Sequence, residues 1–256
     1  MNNQIKKDFM DKSEPVRLNK FLSEAGACSR READRLIEDG RVTIDGKVAE
    51  KGMKVMPGQV VKLNGKAVSK VDEMVVLAVN KPRGIVCTEE KREKNNIIKF
   101  LNYPTRITYA GRLDKDSRGL LIMTNNGDII NKMMRAGNCH EKEYKVTVDK
   151  EITPAFLKKM SEGVEILDTV TRPCKVTKIG KYTFKIILTQ GLNRQIRRMC
   201  EALGYNVKDL YRTRIMNIEI GDLKEGKTRK LTEEELSGLY ELIKDSSNET
   251  VIYKKK

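Results

Sequence analysis

The 256-residue sequence predicts an α+β fold in two parts, a small helix-helix-sheet domain and a larger domain of mixed strands and helices. Residues 15–65 carry two helical patterns followed by short alternating runs, which favours two helices beside a small sheet. Beyond residue 75, strands and helices follow one another irregularly, unlike the regular alternation of a parallel α/β fold. Neither of the phosphate-cradling glycine fingerprints occurs, so we expect no nucleotide cofactor.

The predicted boundaries divide the chain into five segments. These are a disordered arm at 1–14, the small domain at 15–65, a polar link at 66–74, the larger domain at 75–245 and a basic tail at 246–256. The two outer segments are short and rich in charge, which is typical of chain ends that do not pack.

Two helices open the small domain. Apolar residues recur at helical spacing over residues 16–25, and Gly26 ends the run. Ser29 and Glu32 have the spacing of a capping box, which predicts that a second helix starts here and ends at Gly40.

A small sheet follows these helices. Asp45-Gly46 lies between the alternating runs 42–44 and 47–48, and this combination predicts a hairpin. Pro57-Gly58 then turns the chain into a further strand at residues 60–63.

The larger domain contains longer elements. Apolar or alternating runs predict strands at 73–80, 120–123 and 143–148, with several more between residues 164 and 188. Amphipathic spacing and capping residues such as Thr153 and Thr232 predict the helices. Their ranges are 95–101, 125–134, 153–163, 193–203 and 232–243.

The chain is strongly basic, which indicates an anionic partner. Lys and Arg number 51 against 36 acidic residues, a formal net charge of +15, and no apolar stretch approaches the length of a membrane span. Five basic residues gather in the helical part of the small domain: Arg17, Lys20, Arg30, Arg31 and Arg35. A solvated basic face would explain them, but clustered arginines favour contact with RNA phosphates.

Cysteine and histidine usage restricts the possible chemistry. The five cysteines are scattered and contain no Cys-x-x-Cys pair, which favours reduced, packed thiols over a disulfide framework. The single histidine, His140, leaves no zinc site of the usual spacing, so we expect no metal. Any catalysis must use carboxylate, Tyr, Lys, Arg or Cys side chains. The polar start of the chain is unlike a signal peptide, so we expect a cytoplasmic protein with no membrane partner.

A charged segment between two glycines, Gly111 to Gly119 (GRLDKDSRG), precedes the apolar run 120–123. The run predicts a buried strand, so the charges lie where the chain enters a core and where unpaired charge is costly. Two interpretations follow from the charge pattern. Either the charges pair with one another at the surface, or the carboxylate of Asp114 is held in a cleft for catalysis. The charge pattern alone favours the first.

Four segments together resemble the pseudouridine synthases. They are Asn80–Gly84 (NKPRG), Gly111–Gly119, Lys142–Val146 (KEYKV) and Gly191–Met199 (GLNRQIRRM). Residues 15–65 resemble the RNA-binding domain type named after small-subunit ribosomal protein S-four, which one branch of this family carries. The resemblance implies a mainly antiparallel sheet in the larger domain. The segments 135–144 and 212–217 are most similar to family members that modify large-subunit ribosomal RNA.

The resemblance implies roles for four residues. Asp114 matches the essential aspartate, which would attack the target uridine and release its base from C1′ for reattachment through C5. Arg197 matches the basic partner of the aspartate, and Tyr144 matches the aromatic residue that stacks on the base and is a candidate acceptor of the C5 proton. Leu210 matches an apolar wall of the pocket. The structural alternatives are a helix cap or a surface ion pair for Asp114, a core position for Tyr144 and a surface position for Arg197.

Further positions in the matching segments are predicted to bind the substrate: Lys81, Arg112, Arg194, Gln195 and Arg212. The implied reaction needs no cofactor. The expected substrate is a uridine in a hairpin of 23S ribosomal RNA, flipped out of its stack, and the expected protein is a monomer. Another ribosomal RNA site, a transfer RNA, or a role as an assembly factor without catalysis are the alternatives.

Overall fold

The computed structural model describes residues 14–69, 73–90 and 92–246. Apart from its last residue, the predicted arm at 1–14 lies outside this range, as do residues 70–72 of the predicted link and all but the first residue of the tail at 246–256. The chain forms two compact units. Of the described residues, the first unit contains 14–69, 73–75, 103–108 and 125–127, and the second contains 76–90, 92–102, 109–124 and 128–246.

The first unit contains the two predicted helices, α1 (Leu18–Glu24) and α2 (Arg30–Glu38). The backbone N–H of Glu32 donates to Ser29 Oγ at 3.2 Å, which confirms the predicted start of α2. The first helix begins two residues later than expected, because Val16–Arg17 is extended and forms strand β1 against β4 (Lys54–Val55). Arg17 therefore lies on a strand rather than on a helix.

Strands β3-β2-β5-β6 form a four-stranded sheet in the first unit, and all their pairings are antiparallel. Their bounds are β2 (Val42–Ile44), β3 (Lys47–Val48), β5 (Val61–Leu63) and β6 (Lys66–Ala67). The predicted hairpin at Asp45-Gly46 is confirmed, with positive φ at both residues. Lys66–Ala67 is a strand rather than part of the link, because Asn64-Gly65 supplies a second turn with positive φ at both positions.

A nine-stranded sheet forms the centre of the second unit, in the order β13-β14-β10-β15-β9-β7-β17, with β16 beside β15 and β8 beside β9. Its strands are β7 (Val76–Lys81), β8 (Thr108–Ala110), β9 (Arg118–Thr124), β10 (Lys142–Val148), β13 (Lys175–Gly180), β14 (Thr183–Leu188), β15 (Val207–Ile215), β16 (Ile218–Glu219) and β17 (Thr228–Lys230). Strands β11 (Glu165–Ile166) and β12 (Thr169–Val170) form a separate pair. The pairings along the main order are antiparallel except for β15 with β9, which confirms the predicted mixed, mainly antiparallel fold.

The predicted helices of the second unit are present. They are α3 (Ile97–Leu101), α4 (Gly127–Met134), α5 (Pro154–Glu162), α6 (Gln195–Ala202) and α7 (Glu233–Ile243). Thr153 caps α5, with Phe156 N donating to its Oγ1 at 3.1 Å. Thr232 and Glu235 form a full capping box at the start of α7. Strand β15 was not predicted, because charged residues interrupt its apolar pattern.

Strands β9 and β15 approach each other closely at Gly119. This residue pairs with Arg212 and has a φ of +109°, a conformation that favours glycine. A Cβ atom here would collide with the backbone oxygen of Arg212 and lie 2.7 Å from its backbone nitrogen. Glycine at this position therefore allows β15 to lie directly beside the loop that carries Asp114.

The described residues contain neither a membrane-spanning helix nor a cluster of metal ligands. No helix in residues 14–69, 73–90 and 92–246 is long and apolar enough to cross a membrane. Within the same ranges, no three His, Cys, Asp or Glu side chains gather in a way that could hold a metal ion.

Candidate active site

A cleft of about 350 Å³ lies within the second unit. The loop 111–117, strands β10 and β15, and residues 188–196 at the start of α6 supply its walls. Seven of the predicted site residues line it: Arg112, Asp114, Tyr144, Arg194, Gln195, Leu210 and Arg212. Segments that are distant in sequence therefore meet in one cavity.

Asp114 occupies this cleft with a side chain that is 33% exposed. Its Oδ2 atom lies 3.6 Å from Arg194 Nη1 and 3.7 Å from Arg197 Nε. Two cations therefore lie within 4 Å of the carboxylate. The carboxylate is thus partly exposed in a cleft and also paired with arginines. The two interpretations of the charge pattern, an ion pair and a carboxylate held in a cleft, are therefore compatible.

The backbone of neighbouring segments fixes the guanidinium of Arg197. Its Nη2 donates to the carbonyl of Asp116 and to Ser117 Oγ, both at 3.2 Å, and Nη1 donates to the carbonyl of Val207 at 3.4 Å. Burial, followed by the nearby charge of Arg194, lowers the pKa of Arg197. An arginine nevertheless stays charged at physiological pH, so a fixed positive charge faces Asp114.

Strand pairing brings Tyr144, Leu210 and Arg212 to one face of the sheet. Tyr144 pairs with Arg212 across β10 and β15, and Val146 pairs with Leu210. Directly opposed residues project from the same face, as do residues two apart along a strand. An aromatic ring, an apolar side chain and a guanidinium therefore line the cleft together.

Lys142 also lines the cleft, although it was not predicted as a site residue. Burial, with a smaller contribution from the charge of Arg212, lowers its pKa to about 8. Its Nζ donates to the carbonyl of His140 at 3.3 Å. The spacing of two residues from Tyr144 is the sequence feature that could have identified it, since such residues share a strand face.

Gln195 and Gln190 use their amides differently. Gln195 is buried, and its Oε1 accepts from Leu192 N at 3.1 Å, so this residue shapes the start of α6 as well as the cleft wall. Gln190 lines the cleft, and its buried Nε2 has no hydrogen-bond partner among the described residues. Gln190 was not predicted from the sequence either.

Lys81 is not among the residues that line the cleft, and its contact with the substrate stays a prediction. It is fully buried, and its Nζ donates at 2.8 Å to the carbonyls of Pro82 and Ser117. Burial is the main cause of its lowered pKa. Its ammonium group is used in holding the turn that follows Asp114.

The predicted RNA-contacting residues of the first unit are mostly exposed. Arg17, Arg30, Arg31 and Arg35 are open to solvent, whereas Lys20 is half-buried with its Nζ 3.6 Å from Glu24 Oε1. Exposed arginines on α2 and on strand β1 are available for phosphate contacts.

Comparison with known proteins identifies both parts of the chain. A family model described as RNA pseudouridylate synthase matches residues 75–202, the segment that contains Asp114, Tyr144 and Arg197. A model of the S4 domain matches residues 16–61.

The chain belongs to the RNA pseudouridylate synthase family.

As a pseudouridine synthase it is an isomerase, and it carries an S4 domain at residues 16–61. It is 56% identical over 236 residues to the dual-specificity RNA pseudouridine synthase RluF of Escherichia coli K12. This alignment covers 91% of this chain and 81% of that protein. It is 36% identical over 242 residues to the ribosomal large subunit pseudouridine synthase B of Bacillus subtilis, covering 91% of this chain and 98% of that protein. The predicted family and enzyme class are confirmed.

A solved pseudouridylate synthase structure is similar to this synthase in three dimensions. The TM-score is 0.65 at 27% sequence identity, and the match covers 88% of this chain and 99% of the other. The similarity therefore extends through both the S4 and the synthase parts.

Proposed function

We propose that this synthase converts a uridine in a hairpin of 23S ribosomal RNA to pseudouridine, with Asp114 as the nucleophile. The observation that supports the proposal most strongly is the position of Asp114. Its carboxylate lies in a cleft next to two arginines, and Tyr144 and Leu210 line the same cavity. No other described acidic side chain lines this cleft.

The chemistry follows from a carboxylate nucleophile. The ionised oxygen of Asp114 forms a bond to C1′ of the uridine while the C1′–N1 bond breaks, and its electron pair leaves with the base. The base then rotates, C5 bonds to C1′ and the Asp114 carboxylate is released. Loss of the C5 proton and protonation of N1 complete an isomerisation with no net change in atoms or electrons. The guanidinium of Arg197, 3.7 Å away, stabilises the negative charge of the carboxylate before attack and on release.

The target base must leave its helical stack to reach Asp114. Such extrusion costs a few kcal/mol, of which stacking on an aromatic ring recovers about 1–3 kcal/mol. Tyr144 is the aromatic residue that lines the cleft and would supply this stacking. Hairpin loops are favourable targets, because their bases are already partly unstacked.

Affinity for RNA comes from the excess of positive charge. The exposed basic residues of the first unit, Arg17, Arg30, Arg31 and Arg35, would contact phosphates together with Lys20, and Arg112 and Arg194 would do so at the cleft. Phosphate contacts hold the RNA but do not select its sequence. The S4 domain would therefore hold the RNA stem through phosphate contacts, and the synthase domain would bind the flipped base.

Ribosomal RNA of the large subunit is the proposed target on two grounds. Segments 135–144 and 212–217 resemble family members that modify this RNA, and one relative is named as a ribosomal large subunit pseudouridine synthase. Another relative is named as dual-specificity, so a second RNA target such as a transfer RNA is the first alternative. A role as an RNA-binding assembly factor is the second, and a cleft that holds a paired carboxylate argues against it.

Chemical mapping of pseudouridine in ribosomal and transfer RNA tests both the reaction and the target. A strain lacking the protein should lose pseudouridine at one 23S position, and the natural protein should restore it. Asp114→Asn should not restore it, although it should bind RNA within about threefold of the natural protein, because the amide is isosteric but a far weaker nucleophile. Asp116→Asn, in the same turn, is the matched control and should restore the modification. Activity of Asp114→Asn would exclude the proposed nucleophile, and an unchanged 23S map would exclude the target.

A further inference from the structure

Arg212 has a hydrogen-bond donor without an acceptor. The residue is only 2% exposed although it lines the cleft. Its Nε donates to the carbonyl of Leu120 at 2.6 Å, and Nη1 donates to the carbonyl of Arg112 at 3.5 Å. Its Nη2 is buried and has no hydrogen-bond partner in the part of the chain that the structure describes. Leaving a buried charged donor unpaired is costly, so this group is suited to a bound molecule.

The strand register places this donor next to the position expected for the target base. Tyr144 is the direct cross-strand partner of Arg212, and opposed side chains are about 5 Å apart at Cβ. Leu210 lies two residues before Arg212 on the same face. A base stacked on Tyr144 therefore has one edge beside the guanidinium of Arg212.

The bond from Arg212 Nη1 to the carbonyl of Arg112 adds a second constraint. Arg112 lies two residues before Asp114, so the guanidinium reaches from β15, the strand paired with that of Tyr144, to the loop that carries the carboxylate. The reacting nucleoside must lie in the same space between Tyr144 and Asp114, since C1′ of its sugar has to contact the carboxylate and its base has to stack on the tyrosine.

We propose that Nη2 of Arg212 donates a hydrogen bond to a carbonyl oxygen of the target pyrimidine. This inference rests on the proposed function and assigns the base edge that the site reads. Uracil offers two acceptor oxygens, O2 and O4, and a guanidinium offers donors only, so one of these oxygens is the partner. The buried Nε2 of Gln190 is a second unpaired donor in the cleft and is available for the other oxygen.

The contact also has a consequence for rate. When the C1′–N1 bond breaks, negative charge spreads from N1 to O2 and O4 of the departing base. A cationic donor interacts more strongly with that charge than with the neutral uridine, so its stabilisation is greater in the transition state. Arg212 should therefore influence the rate constant of conversion more than the affinity for RNA.

A backbone phosphate is a less suitable partner for this donor. A phosphate keeps much of its hydration when it meets exposed cations, and Arg194, with 44% of its side chain exposed, is placed for that purpose at the same cleft. Arg212 is almost wholly enclosed, and a planar base enters an enclosed site at lower desolvation cost than a charged phosphate does.

The test exchanges single atoms in the RNA as well as side chains in the protein. The hairpin in which mapping locates the pseudouridine is prepared with uridine, 2-thiouridine or 4-thiouridine at the target, because sulfur is a weaker acceptor than oxygen. Conversion is followed under single-turnover conditions with enzyme in excess, so that the rate constant is separated from affinity. The natural enzyme, Arg212→Met and Arg212→Lys are compared, and thermal melting checks that each variant is folded.

Arg212→Met should convert the uridine hairpin about 10- to 100-fold more slowly while binding it within about threefold. When sulfur replaces the contacted oxygen, the rate constant of the natural enzyme should fall about 10-fold. The rate constant of Arg212→Met, which already lacks the contact, should not fall further with sulfur at that position. The position at which this non-additivity appears identifies O2 or O4. Arg214→Met is the matched control on the same strand, since Arg214 bonds to Glu141 and to the carbonyl of Met216, and it should keep the sulfur response of the natural enzyme.

Two results would overturn the inference. In the first, sulfur at O2 and sulfur at O4 each lower the rate constant by the same factor in the natural enzyme and in Arg212→Met. The same result is expected if Arg212 contacts a phosphate instead of the base. The other is a natural enzyme that is indifferent to sulfur at both positions, a result that needs no variant. Failure of the natural enzyme to convert the uridine hairpin is a separate result, which refutes the proposed function and this inference with it.

Discussion

Arg197 Nε lies 3.7 Å from Asp114 Oδ2, while the other two nitrogens of the same guanidinium bond to groups outside the carboxylate. The Nη2 atom of Arg197 bonds to the turn that immediately follows Asp114, in which Ser117 N donates to the carbonyl of Asp114 at 3.1 Å. The arginine and the loop that carries the carboxylate are therefore attached to each other, and the charge facing Asp114 is held in place.

Removing this arginine should impair catalysis more than RNA binding. Arg197→Met should lower the single-turnover rate about 100-fold or more, because a fixed cation next to the carboxylate is lost together with three hydrogen bonds, two of which hold the turn after Asp114. Arg197→Lys should recover only part of this loss, since an ammonium cannot reach the same three acceptors. Arg198→Met is the control on the neighbouring position of α6, and a loss as large as that of Arg197→Met would contradict a specific role.

Lys142 predicts a pH-dependent change in stability. Its pKa is lowered to about 8, so folding disfavours its charged form. Below pH 8 the lysine is protonated in both the folded and the unfolded state, and the full cost applies. Between pH 8 and the ordinary lysine value, the folded state releases its proton first, so stability rises with pH.

Lys142→Met should therefore increase the free energy of unfolding at pH 7 by about 1–3 kcal/mol. This gain should shrink as the pH rises above 8, which urea unfolding at pH 7 and pH 9.5 would measure. Lys145→Met on the same strand provides the comparison, because Lys145 is exposed and should show little change at either pH. A gain for Lys142→Met that does not vary with pH would contradict the lowered pKa.

Gly119→Ala should strongly destabilise the second unit. The added Cβ would meet backbone atoms of Arg212, which cannot move without separating β9 from β15, in addition to the strain of φ +109°. A loss of about 2–5 kcal/mol is expected in urea unfolding. Gly84→Ala separates the two effects, since Gly84 has a φ of +85° with no atom within 4 Å of the added Cβ, and it should lose about 1 kcal/mol. Similar losses for both variants would show that the close approach is unimportant.

The arginines of α2 should contribute to the salt dependence of RNA binding. Replacing Arg30, Arg31 and Arg35 with Gln should weaken binding at low salt and reduce the slope of log affinity against log salt by about 0.7–0.9 for each phosphate that is no longer neutralised. The rate at saturating RNA should change little. A triple Gln variant of Lys158, Lys159 and Lys175 removes the same charge from the second unit. An equal change in slope for that control would indicate that only net charge matters.

Elements with local sequence cues were predicted well. The caps at Ser29, Thr153 and Thr232 and the turn at Asp45-Gly46 depend on residues within a few positions, so the sequence contains the whole cause. Strand β15 was missed, because its charged side chains bond to groups on other strands that a local pattern does not contain. Arg212, for example, bonds to Leu120 and Arg112.

The sequence predicted part of the set of residues that line the cleft, but not their arrangement. Family resemblance, rather than residue chemistry, connected Asp114 with Arg197 and Tyr144, and the roles of these three residues stay predictions. Lys81 was placed with the substrate because it lies in a matching segment, whereas its burial depends on the carbonyl of Ser117 in a different segment. Gln190 and Lys142 emerged only from the shape of the cleft.

The parallel pairing of β9 with β15 has a further consequence for how the enzyme is made. Leu120 and Arg212, which are joined across this pairing, are 92 residues apart in the chain. Contacts of such long range form late, because the intervening chain must first be ordered. During synthesis the loop of Asp114 therefore leaves the ribosome well before the strand that completes its cavity, so a partly synthesised chain contains the acidic residue but has no pocket around it.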